Sequence, residues 1–256
     1  MAQMTPRPQP DPAQGIFETM LVVRGVPVKQ AAHLARLEAS LEAVYGSGLP
    51  AETDAVVAEH ARGLELGRLR LTVAPSSPHR SGLGLEVDAG ELGGWPHFPE
   101  RPVSLRPHQV SGGLGCHKWA DRAALPAAAP GEAPLLVDGD EVLEAAWANV
   151  FAVRNGAVFT PPLDGRILPG VTRATVVELA RARGFEVFEQ ALRLGDLRLA
   201  DEAFLTNSIR GMELVSAVDG ISLEAPGPVT TVLRDDLRSI WESETAAPEG
   251  GRSLTA

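Results

Sequence analysis

Hydrophobic positions in the first third of the chain follow the two spacings that distinguish strands from helices. Two β-rich runs in residues 16–28 flank an Arg-Gly pair, which predicts a hairpin because glycine takes the positive φ of a tight turn. Leucines recur at three- and four-residue steps over residues 29–46 and predict a helix. Alternating residues at 68–75 and 83–89 predict two half-buried strands. The pattern therefore indicates a small α/β unit.

The second half of the chain mixes strands, hairpins and a helix. Residues 134–138 and 149–162 are predicted strands, and the latter form a hairpin that turns on Asn155-Gly156. A helix is predicted after Gly170, and a further strand is predicted in the segment EAFLTNS. Hairpins interleaved with helices indicate a mixed α/β (α+β) fold rather than a doubly wound parallel sheet.

Shifts in composition suggest where the units begin and end. Residues 1–14 contain four prolines and are predicted to form a disordered tail. Residues 15–92 form the predicted small domain, and the Gly- and Pro-rich residues 93–102 the predicted linker. Residues 103–243 form the predicted larger domain, and residues 244–256 a second flexible tail.

Composition and charge narrow the function classes. The 256 residues carry a formal net charge of −10, which argues against a nucleic-acid or anionic-membrane partner because phosphate contacts need clustered Lys and Arg. A single cysteine excludes an internal disulfide, and the spacing of the six histidines gives no support for a metal site. No apolar run is long enough to cross a bilayer, and the first residues lack the apolar core of a signal peptide. We therefore expect a cytoplasmic protein.

Three short segments of the larger unit carry candidate chemistry. Lys118 follows a Gly-rich run and precedes Trp119, so burial of its amine would lower its pKa and make it a nucleophile. The segment LPGVT at residues 168–172 places a Pro-Gly turn directly before a helix, whose free N–H groups suit a phosphate. Glu144 precedes two alanines, and a buried carboxylate there would suit a pyridinium N–H. Taken singly, Lys118 is more typical of a solvated lysine and Glu144 of a surface glutamate, and the segment LPGVT is also typical of an ordinary helix cap.

The order of these segments is more specific than any one of them. The chain contains GIFETM, HLARL, Lys118, the block VLEAAWANVFAVRNGAVFTPPLDGRILPGVTR, and ADEAFLTNS, in that order. This series resembles the fold-type IV family of pyridoxal-phosphate enzymes, which includes branched-chain and D-amino-acid aminotransferases and 4-amino-4-deoxychorismate lyases. The resemblance implies a two-domain fold, with a small N-terminal α/β domain and a larger, pseudo-barrel-like C-terminal α/β domain.

The resemblance also implies roles for individual residues. Lys118 would bind pyridoxal 5'-phosphate covalently and later carry the α-proton of the substrate. Glu144 would face the pyridine nitrogen and keep it protonated. The implied contacts to the phosphate come from Arg36, Gly170, Val171, Thr172 and Ser208. Members of the family are usually homodimers that act on small molecules, so the same is expected here.

The family hosts more than one reaction, and the sequence favours one of them. Branched-chain enzymes usually carry a tyrosine five residues beyond the lysine, where this chain has Ala123. The segment from Lys118 to Arg122 instead resembles the lysine block of 4-amino-4-deoxychorismate lyases. The first expectation is therefore a lyase that yields 4-aminobenzoate and pyruvate. An aminotransferase for branched-chain or D-amino acids is the alternative, and a cofactor-binding protein without catalysis is a third.

The residues that hold the substrate carboxylates are not identified by the sequence. Arg106, Arg154 and Arg210 are all candidates, although each is more typical of a surface arginine.

Overall fold

The computed structural model describes residues 9–76, 82–93 and 97–246. The first part is a four-stranded antiparallel sheet in the order β2-β1-β3-β4, with two helices against it. In chain order its elements are β1 (Ile16–Val23), β2 (Val26–Pro27), α1 (Gln30–Tyr45), α2 (Thr53–Ala61), β3 (Leu66–Pro75) and β4 (Leu83–Glu91). Leucines of α1 pack with alternate residues of β1 and β3 in the core of this unit.

The second part is a ten-stranded mixed sheet. Its elements are β5 (Val103–Gln109), β6 (Glu132–Asp138), β7 (Glu141–Ala145), β8 (Asn149–Arg154), β9 (Ala157–Thr160), α3 (Val171–Ala182), β10 (Val187–Glu189), β11 (Leu192–Arg193), α4 (Leu194–Arg198), β12 (Glu202–Asn207), β13 (Gly211–Val218), β14 (Ile221–Ser222) and α5 (Pro228–Glu244). Nine strands follow the order β10-β9-β8-β12-β13-β5-β6-β7-β11, and β14 pairs with β13.

The large sheet curls on itself. Strand β7 lies near one end of the strand order and β8 near the other, yet Ala145 at the end of β7 pairs with Ala148 just before β8. One core fills the inside of this curl, while helices α3 and α5 pack on its outer face in another. The mixed α/β fold class and the pseudo-barrel-like form of the larger unit are therefore confirmed.

Local turns follow the sequence closely. The first hairpin turns on Arg24 and Gly25, and the second on Asn155 and Gly156, all four with positive φ. Helix α1 ends at Gly46, which takes the left-handed conformation at φ 64°. The division into domains 15–92 and 103–243 stays a prediction about separate folding units.

The predicted tails and linker differ from the structure at their inner ends. Residues 9–14 are ordered, because Asp11 caps a short 3₁₀ turn at Pro12–Gln14 and Tyr45 donates a hydrogen bond to the Pro12 carbonyl. Helix α5 extends to Glu244, and Thr245 after it is buried. The predictions for residues 1–8 and 247–256 lie outside the described residues.

The predicted linker at 93–102 is partly built into the larger unit. Phe98 is buried against Trp241 and Met212, and Arg234 of α5 donates to the carbonyls of Phe98 and Pro99. A segment with such packing cannot act as a free connection, although residues 94–96 are outside the described part. None of the helices in the described ranges has both the length and the apolar character needed to cross a membrane.

Candidate active site

One cavity brings together all seven residues that the sequence singles out. Helix α1, the loop before Lys118, strand β7, the start of α3 and the end of β12 each contribute to it. The predicted residues in its lining are Arg36, Lys118, Glu144, Gly170, Val171, Thr172 and Ser208. The structure thus places the residues together, while their individual roles remain predictions.

Backbone pairing with strand β1 fixes the position of Lys118. The Phe17 amide donates to the Lys118 carbonyl at 2.9 Å, and the Ala120 amide donates to the Gly15 carbonyl at 2.9 Å. Lys118 borders the cavity, so part of its side chain is accessible, but its amine lies deep among protein atoms, 4.9 Å from the Phe17 ring centre. Burial lowers the pKa of Lys118 to about 8, and the charge of Arg36 acts in the same direction. A useful fraction of this amine is therefore neutral near physiological pH.

Glu144 is a buried acid on strand β7. Its Oε2 accepts a hydrogen bond from the Leu168 amide at 3.2 Å, and its residue is only 6% exposed. Burial raises the pKa of Glu144 to about 8, although the Leu168 hydrogen bond and the charge of Lys118 oppose the rise. Glu144 therefore holds a proton at neutral pH and can share it with a ring nitrogen in the cavity.

The start of helix α3 forms a close-fitting corner of the cavity. No side chain caps this helix, so the backbone N–H groups of its first turn face the cavity end. Asn149 lies against the turn before it and donates from Nδ2 to the Leu168 carbonyl at 2.9 Å. A Cβ atom on Gly170 would lie 2.0 Å from the Asn149 Oδ1, so only glycine fits there. This corner has the geometry and the partial positive charge that bind phosphate.

Arg36 joins helix α1 to the same corner. Its Nη1 donates to the Pro169 carbonyl at 2.8 Å, while its Nε and Nη2 each donate to Glu18 at 2.7 Å. The buried His33 contacts Glu18 at 2.7 Å on the other side. Burial opposes ionisation of Glu18, but the Arg36 charge and the hydrogen bonds from His33 and Arg36 outweigh it and lower its pKa to about 2. Arg36 is therefore held rigidly at the edge of the corner.

The far end of β12 adds hydroxyl groups to the lining. Ser208 lies where the resemblance implies a phosphate contact, and Thr206 lies two residues before it. The Thr206 Oγ1 is buried and has no hydrogen-bond partner in the described part of the chain. Buried hydroxyls are normally paired, so this one points to a ligand acceptor or donor in the cavity. Sequence reasoning missed Thr206, because a threonine in a strand is ordinary.

A second cavity adjoins the first and shares Lys118 with it. It combines basic and aromatic side chains. Its other lining residues are Phe17, Thr19, Arg68, Arg70, Arg122, Trp147, Asn207, Ser208, Ile209 and Arg210. Acidic residues are absent from this lining among the residues described. The cavity therefore suits an anion beside the Lys118 amine.

The three arginines proposed from the sequence have different positions. Arg210 lines the second cavity, whereas Arg106 is paired with Glu132 on the surface and Arg154 is exposed near Asp196. Sequence reasoning missed Arg70, and it named Arg122 only as part of the lysine block, without a contact to the substrate. Arg122 donates to the Ala146 carbonyl at 2.6 Å, and Arg70 lies 3.8 Å over the Phe17 ring.

These residues fit pyridoxal 5'-phosphate. The lining offers an amine with a pKa of about 8, a buried acid for the ring nitrogen, a helix start with Arg36 for the phosphate, and the unpaired Thr206 hydroxyl. In the described ranges, no three His, Cys, Asp or Glu residues cluster in a way that could hold a metal ion.

Comparison with known proteins agrees with this arrangement. The family model for amino-transferase class IV matches residues 117–218. The branched-chain-amino-acid aminotransferase of Escherichia coli (strain K12) is 38% identical over 106 residues, which are 41% of this chain and 34% of that enzyme. The chain spans only 34 to 40% of the length of the curated relatives that it matches.

Solved structures extend the similarity to nearly the whole chain. The 4-amino-4-deoxychorismate lyase of Pseudomonas aeruginosa superposes with a TM-score of 0.74 at 26% identity, covering 89% of this chain and 91% of that one. The branched-chain amino acid aminotransferase of Escherichia coli superposes with a TM-score of 0.74 at 22% identity, covering 93% and 88%, and shows the shared fold. The chain thus matches the amino-transferase class IV family model over residues 117–218 and has the fold of these solved enzymes over nearly its whole length.

Proposed function

We propose that this chain is a pyridoxal-phosphate-dependent lyase that converts 4-amino-4-deoxychorismate into 4-aminobenzoate and pyruvate. The observation that carries the proposal is the position of Lys118 in the walls of two cavities at once. The first cavity offers the buried acid Glu144 and the start of helix α3 to the cofactor. The second offers Arg70 and Arg122 to an anionic substrate.

The residues around the cofactor have separate tasks. Bound pyridoxal phosphate supplies an electron sink for the carbon that loses its proton. Glu144 holds a proton in reach of the ring nitrogen, because burial keeps that proton on the carboxyl up to about pH 8. Gly170 and Arg36 hold the phosphate end, so the ring keeps one orientation. Lys118 takes the proton from the substrate Cα, since its lowered pKa leaves part of it neutral.

The reaction needs no second substrate. Removal of the Cα proton allows the enolpyruvyl group to leave as pyruvate, and the remaining ring becomes aromatic. Substrate and products have the same atoms in total, so no oxidant or acceptor is required. Lys118 lines the second cavity, so a substrate bound there presents its Cα to the Lys118 amine.

Charge in the second cavity matches a substrate with two carboxylates. Burial lowers the pKa of Arg70, and the nearby charge of Arg68 adds to this effect. Burial likewise lowers the pKa of Arg122. An anion that binds between these two buried arginines stabilises their charged form. The rings of Phe17 and Trp147 add flat apolar surface beside them, which suits a cyclic substrate.

A product assay tests the proposal. Purified enzyme loaded with pyridoxal phosphate is given 4-amino-4-deoxychorismate, and pyruvate and 4-aminobenzoate are measured separately. We expect the two products in equal amounts, and the Lys118→Ala variant should form neither. Absence of pyruvate from the loaded wild-type enzyme would refute the lyase proposal.

An aminotransferase is the second candidate, supported by the curated relatives. The stretch that matches the Escherichia coli enzyme is 38% identical over 106 residues. In this case Lys118 would deliver the proton taken from the substrate Cα to the cofactor, and a 2-oxo acid would act as the second substrate that completes the cycle. Incubation with L-leucine, D-alanine or L-glutamate and a 2-oxo acid tests this candidate. An aminotransferase would form a new amino acid from the 2-oxo acid, whereas a lyase would form none.

We also propose that the chain acts on its small-molecule substrate as a homodimer, by analogy with its family. Light scattering on the purified protein measures this directly, and a mass of 27.0 kDa, that of one chain, would contradict it.

A further inference from the structure

A single buried carboxylate behind the second cavity receives hydrogen bonds from three side chains. Glu213 on strand β13 is 0% exposed. Its Oε1 accepts from Trp147 Nε1 at 3.2 Å and from Asn207 Nδ2 at 2.8 Å. Its Oε2 accepts from Arg210 Nη1 at 2.5 Å. The three donors lie on the loop before β8, at the end of β12 and on the turn that follows it.

All three donors line the second cavity, and Glu213 itself does not. Trp147 and Asn207 also line the first cavity, so they stand where the two cavities meet. The Asn207 Oδ1 accepts from the backbone amides of Ile209 at 3.0 Å and Arg210 at 2.8 Å. The hydrogen bond to Glu213 therefore fixes which way the Asn207 amide points, and with it the turn at residues 207–210.

Glu213 also separates the cations of the cavity into two kinds. Its ion pair neutralises Arg210, so this arginine belongs to the wall. Arg68 is paired with Asp88. Arg70 and Arg122 have no carboxylate within ion-pair distance among the residues that the structure describes. Anion binding thus falls to Arg70 and Arg122, whereas Trp147, Asn207 and Arg210 form a surface with a fixed shape.

We propose that Glu213 is a positioning residue that holds Trp147, Asn207 and Arg210 as the rigid wall against which the substrate side chain packs. The wall favours a flat, ring-shaped anion over a branched aliphatic side chain, because the indole cannot swing aside to make room. This inference rests on the proposed function for the identity of the substrate. The geometry of the wall is independent of the proposed function.

The test compares Glu213→Gln with the wild-type enzyme, both loaded with pyridoxal phosphate. Glutamine keeps the shape and one acceptor oxygen, but it removes the charge and turns an amide N–H₂ group toward the donors of the wall. We expect KM for 4-amino-4-deoxychorismate to rise about tenfold while kcat changes less than about threefold, because the wall binds the substrate side chain equally before and during reaction.

Glu202→Gln is the matched control. Glu202 on the neighbouring strand β12 is equally buried, and its carboxylate accepts from the amides of Val229 and Thr230 at the start of α5, away from both cavities. We expect this variant to unfold at a lower temperature with an unchanged KM. An equal rise of KM in both variants would overturn the proposal, because it would reflect general loosening.

A second measurement does not depend on turnover. The indole N–H of Trp147 gives one resonance in a ¹⁵N-correlated spectrum, which disappears in Trp147→Phe and is thereby assigned. Loss of the charged acceptor in Glu213→Gln should move this resonance upfield, while Glu202→Gln should leave it in place. An unmoved resonance in Glu213→Gln would overturn the positioning role.

The two proposals fail in different ways. If the wild-type enzyme forms no pyruvate, the lyase proposal fails. The positioning role of Glu213 is then tested by calorimetry, which measures the binding of 4-aminobenzoate to the loaded enzyme. Binding weakened about tenfold in Glu213→Gln supports the wall. Unchanged binding, or none to the wild-type enzyme, overturns it.

Discussion

Covalent attachment of pyridoxal phosphate to Lys118 should proceed readily near neutral pH. Only the neutral amine attacks the aldehyde, and burial together with the charge of Arg36 lowers its pKa from the ordinary 10.5 to about 8. At pH 7 about a tenth of such amines are neutral, against roughly three in ten thousand for an exposed lysine. The environment thus increases the reactive fraction by about 300-fold.

The perturbation is Arg122→Gln. The Arg122 charge lowers the pKa of Lys118, so its removal should raise this pKa and reduce the neutral fraction at pH 7. Glutamine can still donate to the Ala146 carbonyl, which Arg122 contacts at 2.6 Å. Arg106→Gln is the matched control, because Arg106 is a surface residue paired with Glu132.

The assay follows visible absorbance after apoenzyme and pyridoxal phosphate are mixed rapidly between pH 6 and pH 10. The rate should rise with pH and level off above a midpoint near 8, and Arg122→Gln should move this midpoint upward while Arg106→Gln does not. A midpoint near the ordinary 10.5 for the wild-type protein would refute the reasoning, because it would mean that burial does not act on the amine.

Three further predictions follow from the first cavity. Glu144→Gln should keep the cofactor, visible by absorbance, but lower kcat by about a thousandfold, since an amide cannot protonate the ring nitrogen; near-normal turnover would contradict this role. Gly170→Ala should weaken cofactor binding at least about tenfold in an equilibrium titration, because its Cβ would meet Asn149, and adding Asn149→Ala should recover part of the loss. Glu18, with a pKa near 2 against 4.5 when unfolded, should contribute ~3 kcal/mol above pH 4.5 that is lost as the pH falls toward 2. Urea unfolding should show a loss of stability between pH 6 and pH 3 that is about 2 kcal/mol larger in the wild-type protein than in Glu18→Gln.

The parts of the site that lie in continuous segments could be predicted from the sequence. Glu144, Gly170 and Thr172 belong to one long block, and Lys118 follows a Gly-rich run. The order of these segments resembles that of a known family, and this resemblance identified the residues. The hairpin turn at Asn155-Gly156 could also be predicted, because few other residue pairs readily take the positive φ angles that this turn requires.

The parts that depend on packing between distant segments could not be predicted. Arg70 belongs to an alternating strand, and alternation shows only that one face is buried, not that the other face lines a cavity. Glu213 was missed for a related reason. Its three partners come from positions up to 66 residues away, and no local pattern marks them.

The ordered end of the predicted first tail has a similar cause. Its proline content suggested disorder, yet Pro12 stands at the start of a 3₁₀ turn where proline is tolerated, and Asp11 and Tyr45 hold that turn. Composition describes the average behaviour of a segment, whereas the Asp11 cap and the Tyr45 hydroxyl are enough to order residues 9–14.

The bidentate pair between Arg36 and Glu18 has a consequence for how the phosphate end is held. The charges of these two side chains cancel, and burial lowers the pKa of His33, so this imidazole adds no charge at neutral pH. The phosphate is then attracted mainly over short range, by the N–H dipoles at the helix start and by the guanidinium N–H groups of Arg36 beside them. Raising the ionic strength from 0.05 to 0.5 M should consequently change the dissociation constant of pyridoxal phosphate by less than about threefold, as counter-ions screen net charge far more than they screen buried dipoles.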